Sequence, residues 1–174
     1  MMFQVVIVME HSGIVPVSLT DAGDLRGGVM LRALLNGLVG SVTLTVAHQL
    51  LKRFVTDAPK LDNLGMESIE KVYSAVGKEP PSDRVLFKNA LLSDIIGNAI
   101  FYSQVGSRGG AGSIAKGVSL GLTMGAGASA LPPLLGMSKD NSQKNMRQAA
   151  MTVGLYVLGG IAAACAAQCC SKSE

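Results

Sequence analysis

Four runs of mostly apolar residues, at about 31–51, 86–105, 114–137 and 148–169, dominate this chain, and each is about twenty residues long. A helix rises 1.5 Å per residue, so each run would reach across a hydrocarbon core of about 30 Å. A soluble bundle sets an apolar stripe at i, i+3, i+4 and i+7 against a charged face. The first, third and fourth runs have long charge-free interiors and no such face; the second carries Lys88 and Asp94. The pattern predicts an all-α fold, a four-helix transmembrane bundle, with a soluble helical bundle as the alternative.

The connection at 52–85 breaks the monotony. Asp57, Pro59, Asn63 and Gly65 are turn residues. The stretch "MESIEKVYSAV" then sets Met66, Ile69, Val72, Tyr73 and Val76 on one helical face and Glu67, Glu70 and Lys71 on the other. This predicts a short amphipathic helix at the membrane interface, between the first and second spans. Next, "GKEPPSD" ends it, with Ser82 or Asp83 available to cap the second span. Pro132 and Pro133 lack an N–H and are expected to end the third. The run "GSRGGAGS" reads as a flexible loop between the second and third spans, since no strand precedes it to form a phosphate cradle.

Residues 1–29 differ from the rest: a short β-like run, "MFQVVIVM", precedes loop-like sequence. They are expected to be an N-terminal extension ahead of one membrane domain, 30–174. The segment "LRGGVM" could be encoded by a purine-rich run just upstream of a methionine codon, which makes Met30 a candidate start and the extension a candidate untranslated stretch.

Composition sharpens the membrane expectation. Glycine is abundant at 21 residues, tryptophan is absent, and aromatics make up 4 %. A glycine in a helix costs about 1 kcal/mol against alanine in water. Yet the third run repeats a small residue every fourth position: Ser113, Gly117, Gly121, Gly125, Ser129. In lipid, helices associate by close van der Waals packing, and small residues permit it. The ladder therefore predicts tight helix packing, with the similarly small-residued fourth run as its neighbour, or with a second copy or another membrane protein.

The net charge of +3 is too small and too scattered for a nucleic-acid surface. Ten of the lysines and arginines fall on the side of the 52–85 and 138–147 connections and five on the other. That bias favours the first side as cytoplasmic. Phe54 and Phe87 would flank one interface, and Phe101 and Tyr102 the other.

Candidate chemistry is sparse. Asp94 lies inside the second run, with Asn98 and Tyr102 following at i+4 and i+8. A carboxylate at such depth should face protein or water, either as a proton or cation site or as a tie between helices. His48 falls about 7 Å from the level of Asp94 on a 1.5 Å rise, so it reads as an interfacial histidine that would reach Asp94 only through tilt or a water. These four residues form the candidate intramembrane polar site. Cys165, Cys169 and Cys170 end the last run, and nothing near them completes a metal set. No nucleotide, zinc-protease or serine-hydrolase motif occurs, which argues against an enzyme and calls for no cofactor or metal.

The run "LLNGLVGSVTLTVAHQLLKRFVTDAPKLDNLGM" resembles a loose set of uncharacterised small bacterial membrane proteins, with a glycine-rich first span followed by an "aP-x-x-D-x-L-G-M" segment. Here Ala58, Pro59, Asp62, Leu64, Gly65 and Met66 carry it. The resemblance implies a four-span bundle in a bacterial inner membrane and no known activity. The expected role is structural or interaction-based, in contact with lipid; the alternative is a small transporter or channel subunit with a polar path around Asp94.

Overall fold

A computed structural model of the chain describes residues 27–137 and 145–171. The β-like run at 2–9, most of the N-terminal extension, most of the 138–147 connection and the side chain of Cys170 lie outside the described residues. The described residues are all-helical, with no strand: α1 (Gly27–Phe54), α2 (Leu61–Ala75), α3 (Asp83–Tyr102), a single 3₁₀ turn (Ser103–Val105), α4 (Ser113–Leu134) and α5 (Met146–Ser171). Two segments, Gly28–Phe54 and Met146–Cys169, are long and apolar enough to cross a membrane by length and composition. The other two long helices fall short for different reasons. Asp83, Arg84, Lys88 and Asp94 charge α3, while α4 dilutes its leucines with glycine and serine.

Glycine sets two helix ends. The prolines do not stop α4; both sit in its last turn. Termination falls to Gly136, whose φ of 67° is open to glycine and strained for other residues. Its left-handed turn lets Met137 N–H donate back to Pro132 O at 3.0 Å, satisfying a carbonyl the helix leaves over. Gly77 (φ 69°) ends α2 in the same way, with Lys78 N–H on Tyr73 O at 2.9 Å. The start of α2 is earlier than the turn residues suggested. Asp62 falls in its first turn, where an acid favours the helix dipole. Gly65 sits inside the helix, where an added Cβ would lie 3.3 Å from the Ala90 methyl. Ser82 holds the N-cap position of α3 without a side-chain capping bond.

The helices pack as an arc in the order α3, α1, α5, α4, because α1 contacts both α3 and α5, α5 contacts both α1 and α4, and α3 barely touches α4. Small residues make each joint. The closest is α4 on α5, where the positions of Gly117, Gly121 and Gly125 approach Gly160, Val157 and Val153 in antiparallel register. A Cβ on Gly125 would lie 2.6 Å from Val153 Cα, so these backbones meet where no side chain intervenes. The ladder is thus covered by α5 of the same chain. Ser129, at its end, turns its hydroxyl back to Gly125 O at 2.7 Å. Gly40 meets the Gly159 carbonyl between α1 and α5, and Gly37 meets Ala99 between α1 and α3. Ser41 Oγ adds a hydrogen bond across that last joint, to Ile95 O at 2.8 Å.

The loop at 106–112 is tied down rather than free. Asn36 Nδ2 donates to Gly106 O (3.0 Å), and Gly109 N–H donates to Ala167 O (2.8 Å). The backbone of α5 passes so close that a Cβ on Gly109 would lie 2.6 Å from Gln168 N.

The interior is apolar around Leu44, Leu86 and Tyr102, with a few polar side chains among them. Asn36, Ser41, Asn98 and Thr152 are buried. The outside of α1 shows Leu31, Leu35, Val39, Val42, Val46 and Leu50, and that of α3 shows Leu92, Ile96 and Ile100. These exposed residues form apolar stripes along the two helices rather than scattered single positions.

Candidate functional site

The site begins with the polar residues of α3. Each four-residue step along a helix advances about 40° around its axis. Asp94 and Asn98, one step apart, both face the gap between α3 and α4. Tyr102 lies a further step on and has turned away. It is wholly buried, and its hydroxyl donates to Tyr156 O at 2.7 Å. The structure therefore removes Tyr102 both from the polar path and from an aromatic interface belt. Phe101 packs edge-on against it, with centroids 6.0 Å apart, and is partly buried as well. At the opposite end of the bundle Phe54 and Phe87 are exposed.

The gap is a cleft of about 400 Å³. Its walls are α3 and α4, Tyr156 of α5 closes its back, and α2 lies across it. The apolar face of α2 is what it offers the cleft, through Leu64, Ile69 and Val72. Lys71 Nζ donates to Gly136 O at 2.9 Å and fastens α2 to the end of α4. Asp94 is the sole charged residue of the lining. It has no ion-pair partner among the described residues. Asn98 is buried, and its Nδ2 makes no hydrogen bond of good geometry.

A second, smaller cavity of about 40 Å³ sits where α1, α2 and α3 meet, and Asp94 lines it too. Thr45, His48, Gln49 and Asp62 are its other polar walls. His48 is buried within the bundle, and its Nε2–H donates to Pro59 O at 2.8 Å. It shares this cavity with Asp94 but makes no bond to it. The reason is the chain reversal at 55–60, which places the Pro59 carbonyl within reach of the ring. Thr45 Oγ1 and Asp62 Oδ1 are buried without a hydrogen-bond partner, and the volume suits roughly two or three waters between them. The structure thus brings His48, Asp94 and Asn98 to two adjoining cavities and leaves Tyr102 in the packed core.

Sequence reasoning did not single out Asp62 as a member of this site. For Asp62 the sequence holds a signal in retrospect: an acid in the first turn of α2, ten residues from Lys52 at the end of α1. The two side chains form an ion pair. Burial pushes the Asp62 carboxyl up, but the hydrogen bond and charge of Lys52 outweigh it and hold the group below its ordinary value of 3.8. A carboxylate depressed in this way contributes stability that is fully present above its ordinary value and lost as pH falls through the lower, folded one. Docking of α2 on the bundle is therefore expected to hold at neutral pH and to weaken below pH 3.8. Hydrogen exchange across 61–75 in detergent micelles is the measurement. Asp62→Asn should raise exchange at pH 7 and flatten the acid dependence; an unchanged acid profile would place the coupling elsewhere.

Cys165 and Cys169 are both exposed. No group of three histidine, cysteine or acidic side chains that could hold a metal occurs among the described residues. Comparison with protein-family models, curated proteins and solved structures finds no match for this chain.

Proposed function

We propose that this chain is a four-span integral membrane protein of a bacterial inner membrane, a small transporter or channel subunit whose α1, α3, α4 and α5 cross the bilayer while α2 lies at the interface. In this reading the 52–85 and 138–147 connections face the cytoplasm, on the side where lysine and arginine are in excess. The large apolar side chains exposed along the outer faces of α1 and α3 support the membrane setting, as do the amides and hydroxyls buried within the core.

One observation carries the transport reading: an unpaired carboxylate, Asp94, opens into a cleft of about 400 Å³. It lies eleven residues inside Asp83, roughly 16 Å along α3, within the span this reading assigns to that helix. A charge at that depth costs about 2.5–3.5 kcal/mol on insertion scales, which a pure packing role does not require.

Two measurements test the proposal. The chain should resist carbonate extraction and come into solution only with detergent. Asp94→Asn should leave folding intact in micelles and abolish proton- or ion-dependent flux in liposomes. The structural or interaction role is the second reading, favoured by the way the glycines of α4 are used for helix contact. It would be selected if Asp94→Asn changed only detergent stability or oligomeric state.

A further inference from the structure

We infer that the cleft between α3 and α4 is a binding site for an organic monocation with an apolar body, and that Asp94 is its counter-ion. This inference rests on the membrane reading above and adds a ligand class to it.

Three features of the cleft select that class. The first is charge. Asp94 carries the cleft's one formal charge and has no ion-pair partner in the described residues, so a negative ligand is repelled and a neutral one leaves the carboxylate uncompensated in an apolar wall. The second is the wall itself. Leu64, Ile69, Met124 and Leu131 offer hydrocarbon, and only a few oxygens stand near Asp94. An inorganic cation would need about six oxygen ligands, which this wall does not supply. The third is size. A volume of about 400 Å³ falls within the range of small-molecule sites, roughly 300–1,000 Å³, and far exceeds a single ion or a few waters.

The way in is also built. Because α3 and α4 barely touch, the cleft is open between them, and α2 covers it on the side of the connections. A ligand that dissolves in lipid could enter sideways and bring its charge to Asp94 with its apolar body against α2 and α4. Gly127 makes the cleft wide. A Cβ placed there meets nothing nearer than Leu131 Cδ1 at 3.7 Å, so a larger side chain can be added without pushing the helices apart.

The experiment uses the full chain in non-ionic micelles. Tetraphenylphosphonium is the probe, and tetraphenylborate, of the same size and opposite charge, is the control; empty micelles correct for partitioning. Equilibrium dialysis should show saturable binding of tetraphenylphosphonium at one per chain and no saturable binding of tetraphenylborate. Asp94→Asn should weaken the cation at least tenfold, and Asp94→Glu should retain most of the affinity. Gly127→Leu, which fills the cleft and leaves the carboxylate in place, should remove binding while helicity and elution volume stay unchanged. Should Asp94→Asn fail to fold, the glutamate and Gly127 variants still decide the matter. Equal binding of the two ions, or full affinity in Gly127→Leu, overturns the site. A detergent-dependent protein with no saturable cation binding overturns the ligand class and leaves the membrane reading standing. A chain folded in plain buffer without detergent overturns both.

Discussion

Gly160→Leu is expected to unfold the bundle at a lower denaturant concentration than any other single change made to its helix faces. Gly160 and Gly117 face one another across the α4–α5 joint, and each would direct a Cβ into the other's backbone. A Cβ on Gly117 would lie 2.8 Å from Gly160 C, closer than real side chains come. Backbone cannot rotate aside as a side-chain tip can, so the helices must separate along the whole crossing. Overpacking in cores costs about 1–3 kcal/mol when neighbours can adjust and occasionally more, and a leucine against backbone belongs well beyond that range. On the proposed membrane reading lipid provides no compensating gain, because exposing the separated faces to acyl chains is nearly neutral while the lost dispersion contacts are not replaced. The measurement is helicity against dodecyl sulfate added to mild micelles. Gly154→Leu is the control: no atom lies within 4 Å of a Cβ there, and leucine is the better helix former. Equal losses in the two variants would show that the α4–α5 approach is not what holds the bundle.

Tyr102→Ala is expected to cost nearly as much, about 3–5 kcal/mol, as for other large-to-small changes of buried aromatics. Tyr102 is among the largest fully buried side chains of the described residues. Its ring lies in the seam between α1 and α5, where Gly40 and Gly159 leave room: a Cβ on Gly40 would approach the ring to 3.1 Å, and one on Gly159 would approach the hydroxyl to 2.8 Å. The ring thus replaces the two side chains that the glycines lack. Tyr102→Phe keeps the ring and removes only the hydrogen bond to Tyr156 O, a loss of about 1 kcal/mol. The same titration should order the three proteins wild type, Phe, Ala, with the larger gap at the second step. If phenylalanine were as damaging as alanine, the hydroxyl rather than the ring would be the structural element.

These two residues show how unevenly the chain announces its own structure. The Gly117–Gly121–Gly125 ladder is legible because it is local: helical period and residue size mark a face that a neighbour can approach, and α5 is that neighbour. Tyr102 was less legible. Spacing of i+8 suggested a shared face with Asp94, but two four-residue steps turn the side chain by about 80°, enough to move it from the cleft to the core. His48 was read by its depth alone, as a headgroup-level residue. What buries it is Pro59, eleven residues on, through a chain reversal whose path no periodicity encodes. The "GSRGGAGS" loop has the composition of a flexible linker, yet Asn36 and Ala167, distant in sequence, hold it in place.

The sequence by itself determined the helices of the described residues: their number, their approximate limits, the amphipathic character of α2 and the small-residue face of α4. Each follows from forces between residues a few places apart, namely hydrogen bonding, side-chain size and the 3.6-residue period. Only the tertiary structure decided that the helices stand in the order α3, α1, α5, α4, with a gap left between α3 and α4. That order depends on contacts between residues far apart along the chain, where many pairings satisfy the same local pattern and the close approach of particular backbones selects one. The cleft and the exposure of Asp94 to it are consequences of that selection.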